Sequence, residues 1–252
     1  MIHRADADAD GTLLIGQPAH AWLSGRMARA WAWPFQPWED VCLAAEQHDI
    51  GMAAWDGRPE LDPATGLPYS FDSMPREMHV GLWREAARLV LPQGRYPALL
   101  VSLHGTGLYE RYTPADELAL EPTRSYLAAE REFQASLRRS LGAEPAEVDD
   151  AATLIRCWDW ISLFLCMGSS DRSAMDAVPS CEGESVSLEL AWIDGEPTHV
   201  RVDPWPFLQP SLVLPVEARL LRGRFDDREV MCRALAEAEW RTITFRLSPG
   251  ES

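Results

Sequence analysis

The sequence predicts a mainly α protein, a helical core carrying a small C-terminal antiparallel β-sheet, and three observations lead there. Apolar residues recur at intervals of three and four from Gly16 to about Met167, the period of an amphipathic helix. Past Gly168 the texture changes to alternation, the period of a half-buried strand. Asp194-Gly195 then separates two alternating runs, SVSLELAWI and EPTHVRVD, a two-residue hairpin signal.

Taken in order, the stretch QPAHAWLSGRMARAWAW opens with Pro18 in what would be a first helical turn, and WEDVCLAAEQHDIGMAAW repeats the same apolar spacing. DGRPELDPATGLPYSFDSM, rich in Pro, Gly and Asp, reads as a loop. PREMHVGLWREAARLVL starts at Pro75 and stops before Gly94, and RYPALLVSLHGTGLYERY follows, its glycines weakening the pattern past His104. Segments near 122–141 and 145–167 complete about six helices. PSLVLPVEARLLRG and WRTITFRL add two strands, with a short helical stretch around 227–239 between them. The expected organisation is a flexible acidic start over 1–16, a helical unit over 17–167 and a β-rich appendage over 168–252.

A formal charge of −16 argues against a nucleic-acid partner, which needs a concentrated basic surface, though a small anion can still be drawn to a local arginine cluster. All 23 basic side chains are arginine, so Schiff-base chemistry and a lysine acid or base are excluded. The cysteines, Cys42, Cys157, Cys166, Cys181 and Cys232, are odd in number and far apart, which supports neither a disulfide framework nor a zinc ribbon. With no apolar run of spanning length and no apolar leader in MIHRADADAD, the expectation is a cytoplasmic protein without a membrane partner; the oligomeric state, a dimer included, stays open. DADADG at 6–11 copies the first half of a calcium loop, but Gln17 stands where the bidentate Glu is needed, so a flexible acidic segment is the better reading.

The chemistry resides in the histidines. His20 shares a stripe with Leu23, Met27 and Trp31; His48 with Val41, Ala44, Ala45 and Met52; His79 with Leu82, Trp83 and Ala86; His104 with Leu100, Val101 and Leu108. Any one of them is more often a core imidazole satisfied by a single hydrogen bond. Four in one helical core, without a shared partner, would each incur a desolvation penalty that a metal ion removes at once. Asp159 interrupts the most apolar helix, TLIRCWDWISLFLCM, and needs a cation or a donor; Arg156, one turn earlier, is the alternative partner. Four imidazoles with Asp49 and Asp159 suffice for two divalent ions, Asp49 bridging, and this donor mixture suits iron first, then manganese or zinc.

The order H…HD…H…H…D, each member on its own helical segment over residues 17 to 167, resembles the HD-domain metalloenzymes, in the subset with a binuclear site. The whole chain also resembles a group of bacterial proteins known only as a domain of unknown function. The first resemblance implies that His20, His48, Asp49 and Asp159 hold one ion, that His79 and His104 complete a second, and that Asp49 bridges them. It implies a phosphohydrolase acting on a small phosphorylated metabolite or nucleotide; the alternative is a mixed-valent di-iron oxygenase that cleaves a C–C or C–P bond. A metal-bound sensor or scaffold without catalysis is a third reading. The chain departs from the superfamily in lacking the GYP signature after His104, where it reads HGTGLYERY, and in having no lysine. Arg156 can replace that lysine as an oxyanion clamp and, with Asp49, forms the expected catalytic pair; Arg76 is a second candidate for a small anionic substrate. The loop before Pro75 contributes Asp62, Tyr69 and Asp72 as substrate contacts, with turn roles for the aspartates as the alternative. Among the 11 tryptophans, Trp22, Trp55, Trp83, Trp158 and Trp160 neighbour the proposed ligands, most of them as core and one or two as pocket wall.

Overall fold

The computed structural model describes residues 1–5, 11–181 and 184–250. The chain begins with strands β1 (Ile2–Ala5) and β2 (Thr12–Ile15). Helices α1 (Gln17–Ala30) and α2 (Trp38–Gln47) follow, then a 3-10 turn at Ile50–Met52 that runs into α3 (Ala53–Gly57). Two-residue strands β3 (Leu61–Asp62) and β4 (Leu67–Pro68) pin the loop before α4 (Arg76–Val90). Helices α5 (Arg95–Tyr112), α6 (Ala115–Leu118), α7 (Thr123–Leu141) and α8 (Pro145–Met167) complete the helical part. The remainder is β5 (Arg172–Pro179), β6 (Ser185–Ile193), β7 (Glu196–Asp203), β8 (Leu212–Leu221), α9 (Arg228–Ala236) and β9 (Glu239–Pro249).

The expectation of a mainly α fold with a small C-terminal antiparallel sheet is corrected here. About half the chain is helical and about a quarter is strand, so it is not all-α, and the sheet curls into a half-barrel built from both ends of the chain. Its seven strands run in the order β1-β2-β8-β9-β7-β6-β5. Neither is the sheet wholly antiparallel: β7 pairs with β9 in parallel, His199 opposite Arg246. The missing strands are short and their pairing is remote. Ile2 lies opposite Ile15 across β1 and β2, and Thr12 lies opposite Leu221 of β8, so no local turn signal announces the pairing. Residues 6–10, on which much of the expected flexible start and the calcium-loop likeness fall, lie outside the described residues. Among those residues no helix is long and apolar enough to cross a membrane.

Helix α8 is central because its face is apolar nearly all round. Trp158 is fully buried, edge-on to Trp31 at 5.6 Å and Phe35 at 5.3 Å between ring centres. The helix stops at Gly168, whose φ of +60° suits glycine and whose missing side chain admits the Arg4 guanidinium. Arg4 Nη1 donates to Leu165 O at 2.6 Å, so a cation from β1 meets the negative end of α8 and locks the first strand to that helix. A buried polar network ties α4, α5 and α7. Glu130 accepts from Arg88 and from Ser102 Oγ at 2.6 Å, while Gln134 Nε2 donates to Ser102 at 3.0 Å and Thr106 at 3.1 Å. Ser102 and Thr106 flank His104 on α5, so this network fixes the helix turn from which His104 projects.

Candidate metal centre

The centre forms where three helices and one helix break meet. His20 projects from α1 and Asp159 from α8. His48 and Asp49 are consecutive, and in a continuous helix they would point about 100° apart. Helix α2 ends at Gln47, and Asp49 sits at φ −105° before the 3-10 turn, with Met52 N bonded to Asp49 O at 2.9 Å. That break brings both side chains to the same point.

There His20 Nε2 lies 2.6 Å from Asp49 Oδ2, and His48 Nε2 lies 3.3 Å from Asp159 Oδ1 and 3.7 Å from Asp49 Oδ2. Donor atoms from His20, His48 and Asp159 all fall within 4.8 Å of one another, so this buried trio could hold one metal ion. His104 stands at its edge, Nε2 3.7 Å from Asp159 Oδ2, its ring 4.7 Å from that of His48.

Hydrogen bonds on the far side of each ring aim its Nε2 inward. His48 Nδ1 donates to Ala45 O at 2.8 Å, which leaves Nε2 buried and turned to the Asp159 and Asp49 carboxylates. Ser162 Oγ gives its single proton to Asp159 O at 2.8 Å and accepts from Ser24 at 3.1 Å. His20 Nδ1 therefore donates to Ser162 Oγ, 2.8 Å away, and its Nε2 is hydrogen-bonded to Asp49 Oδ2 at 2.6 Å, a contact that an ion would replace. Imidazoles held from behind in this way, beside ionised carboxylates, fit a divalent transition-metal ion.

Burial alone would depress the His48 imidazole, but Asp49 and then Asp159 push it up to about 9. Burial likewise works against both carboxylates, yet His48 and His20 hold Asp49 well below the usual range, and His48 does the same for Asp159. His104 is depressed to about 4 by burial and by the neighbouring His48 charge.

The sequence family described as "Protein of unknown function (DUF3891)" matches residues 1–223, helices α1 to α8 together with every strand except β9. The chain belongs to the DUF3891 family. No curated protein and no solved structure matches it. No HD-domain family matches either, so the likeness of this DUF3891 member to that superfamily is a loose one, confined to the buried His and Asp cluster.

In the DUF3891 chain His20, Asp49, His104 and Asp159 line a cavity of about 550 Å³ while His48 is fully buried, and several expected residues lie on the cavity walls. His79 faces this cavity, but both its ring nitrogens are engaged: Nδ1 with the Tyr109 hydroxyl at 2.5 Å, and Nε2 with Trp83 Nε1–H at 3.2 Å. The Trp83 indole touches both His79 and His104, 6.2 Å and 5.8 Å between ring centres. Gly105 permits that approach, since a side chain there would collide with Trp83 and the Tyr126 hydroxyl. Arg156 makes no ion pair with Asp159; its Nε is buried without a partner among the described residues, and Nη2 reaches Thr153 Oγ1 at 3.5 Å. Arg76 is on the wall but is paired with Glu117 at 2.9 Å and Thr113 at 3.0 Å. Asp72 lines the mouth, whereas Tyr69 packs on a second apolar cluster with Met1, Trp55 and Leu67. Asp62 accepts from Ala64 N at 2.9 Å and Thr65 Oγ1 at 3.0 Å, the turn role.

Ser162 and Ser24 were missed by reading for ligands, although a signal existed. Ser162 follows Asp159 by three and Ser24 follows His20 by four, polar residues on otherwise buried stripes. Replacing Ser162 with Ala is expected to free the His20 tautomer and lower metal affinity by about 10–100-fold, measurable by calorimetric titration of the metal-free protein. Wild-type affinity in that variant would show that His20 is oriented by something else.

Proposed function

We propose that this chain is a metal-dependent phosphohydrolase that takes one divalent ion on His20, His48, Asp49 and Asp159 and acts on a small anionic, phosphorylated molecule. The observation that carries the reading is the pair of outward hydrogen bonds, from His48 to Ala45 and from His20 to Ser162, which aim the Nε2 atom of each buried ring at the Asp49 and Asp159 carboxylates, where an ion would take the place of protons. A divalent ion there supplies Lewis acidity to a phosphoryl group and strengthens water as a nucleophile near neutral pH.

The remaining work falls to this chain's own residues. Arg156 is one helical turn before Asp159, about 4.5 Å along the axis, and its guanidinium has no carboxylate partner among the described residues, so it can take phosphoryl oxygens in a two-pronged hydrogen bond. Asp49 remains ionised beside both imidazoles and supplies the negative charge that a cation requires. Gln17, one turn before His20, has a buried Oε1 without a partner on the cavity wall and can accept a hydrogen bond from the attacking water. A second ion on His79 and His104, bridged by Asp49, draws no support from this geometry, because Tyr109 and Trp83 already occupy both nitrogens of His79. The di-iron oxygenase reading requires that second ion and weakens with it.

Metal analysis of purified protein with a phosphate-release assay tests the proposal. About one transition-metal ion per chain and phosphate release that chelator abolishes are expected. A chain that binds the ion and releases phosphate from no ester is a metal-bound sensor or scaffold instead.

A further inference from the structure

Resting on the phosphohydrolase reading, the cavity wall narrows the kind of molecule that carries the phosphate. Along the side wall, the hydrogen-bonding groups are already engaged with one another. Trp83 Nε1 donates to His79 at 3.2 Å, the other His79 nitrogen meets the Tyr109 hydroxyl at 2.5 Å, and Trp160 Nε1 donates to Ser173 at 2.9 Å. The Arg76 guanidinium is held by Thr113 and Glu117 and lies over the Tyr109 ring, 5.6 Å from its centre. What these residues present to a ligand is ring faces, and Met52, Phe71, Met74, Leu108 and Leu163 add apolar surface between them.

Polar capacity survives at the two ends. At the floor are Gln17 and the His and Asp cluster, with Arg156 one turn above Asp159; at the rim are Asp72 and Tyr112, both exposed. Arg111 of α5, exposed beside Tyr112, adds a second positive charge near Arg156 in a chain whose net charge is −16. The anion-binding end is therefore the one that runs from the His and Asp cluster to Arg156. A sugar or nucleobase in the middle would give up hydrogen bonds to water with nothing to replace them, each lost bond lowering affinity roughly tenfold.

We infer that the substrate is a phosphate monoester of an apolar alcohol or phenol, its aryl or alkyl body against the aromatic wall and its phosphoryl group between the His/Asp cluster and Arg156. Hydrolysis forms a bond from the water oxygen to phosphorus and breaks the P–O bond to the alcohol. The alcohol leaves with one of the water's protons, inorganic phosphate remains, and nothing is oxidised or reduced.

Non-hydrolysable phosphonates separate this inference from the activity on which it rests. The metal-loaded protein is titrated, with quenching of tryptophan fluorescence as readout, against benzylphosphonate and octylphosphonate and against the phosphonate analogues of glucose 6-phosphate and AMP. The apolar pair is expected to bind about tenfold or more tightly than the polar pair, since all four share the anion. Equal binding, or a preference for the sugar or nucleotide analogue, overturns the inference. Phosphate release from the matching esters is measured in parallel. If no ester is turned over while the apolar phosphonates remain preferred, the ligand class stands and the hydrolase reading falls; if esters are turned over but sugar phosphates or AMP rank first, the hydrolase reading stands and the ligand class falls.

Discussion

Asp159→Asn is expected to yield protein without bound metal and to lower phosphoester hydrolysis on the order of a thousandfold. The amide keeps the shape of the carboxylate and removes its charge, so α8 should pack as before around Trp158. Loss of an outer hydrogen bond at a metal site already costs about 10–100-fold in affinity, and removal of a direct donor exceeds that. The effect has a pH signature. In metal-free protein, Asp49 and Asp159 overcome burial and push His48 up to about 9, from an ordinary 6.5. A raised imidazole contributes stability that is fully present below 6.5 and is lost as pH rises through 9. Thermal denaturation of the metal-free wild type should therefore weaken across that window, and the Asn variant, lacking one of the two carboxylates, should show a flatter profile. Metal must displace the same proton, so wild-type affinity should climb with pH over the same range. A variant that retains one ion per chain would remove Asp159 from the ligand set.

Arg156→Ala is expected to lower kcat/KM about a hundredfold with metal content unchanged, and Arg156→Lys to recover part of that loss, because an ammonium keeps the charge without the planar fork. The fold should tolerate the change. The guanidinium has no carboxylate partner among the described residues, and neighbouring Arg111 repels it, so its removal takes away no ion pair. Steady-state kinetics with thermal denaturation and metal analysis separate the cases. Unchanged kcat/KM would mean that Arg156 faces solvent during turnover, whereas a loss of metal would place it among groups that shape the centre.

The helices that bear the buried His and Asp cluster were legible because their evidence is local. Apolar spacing located the segments near 122–141 and 145–167, where α7 and α8 lie, and an aspartate in so apolar a helix announced that Asp159 needs a partner. The His48-Asp49 doublet was visible, but not the break in α2 that aims both residues at one place. The sheet was misjudged in size and composition because Thr12–Ile15 is four residues long and pairs with Leu221 at the far end of the chain. His79 shows the limit of counting donors. Trp83 at the next helical turn was read as an apolar neighbour, and the donation of its indole N–H to the His79 ring depends on side-chain rotamers that spacing does not specify.

The loop over the cavity is stitched to the residue before β1 and to the segment between β8 and α9. Phe71 N bonds to Met1 O at 3.0 Å, Phe225 N to Gly66 O at 2.9 Å and Arg224 Nη1 to Thr65 O at 3.1 Å. The mouth of the cavity is thus framed by this loop on one side and by Tyr112, at the end of α5, on the other. Drift of the loop can then widen or narrow the aperture, and so re-select what enters, while the buried histidines and aspartates stay as they are.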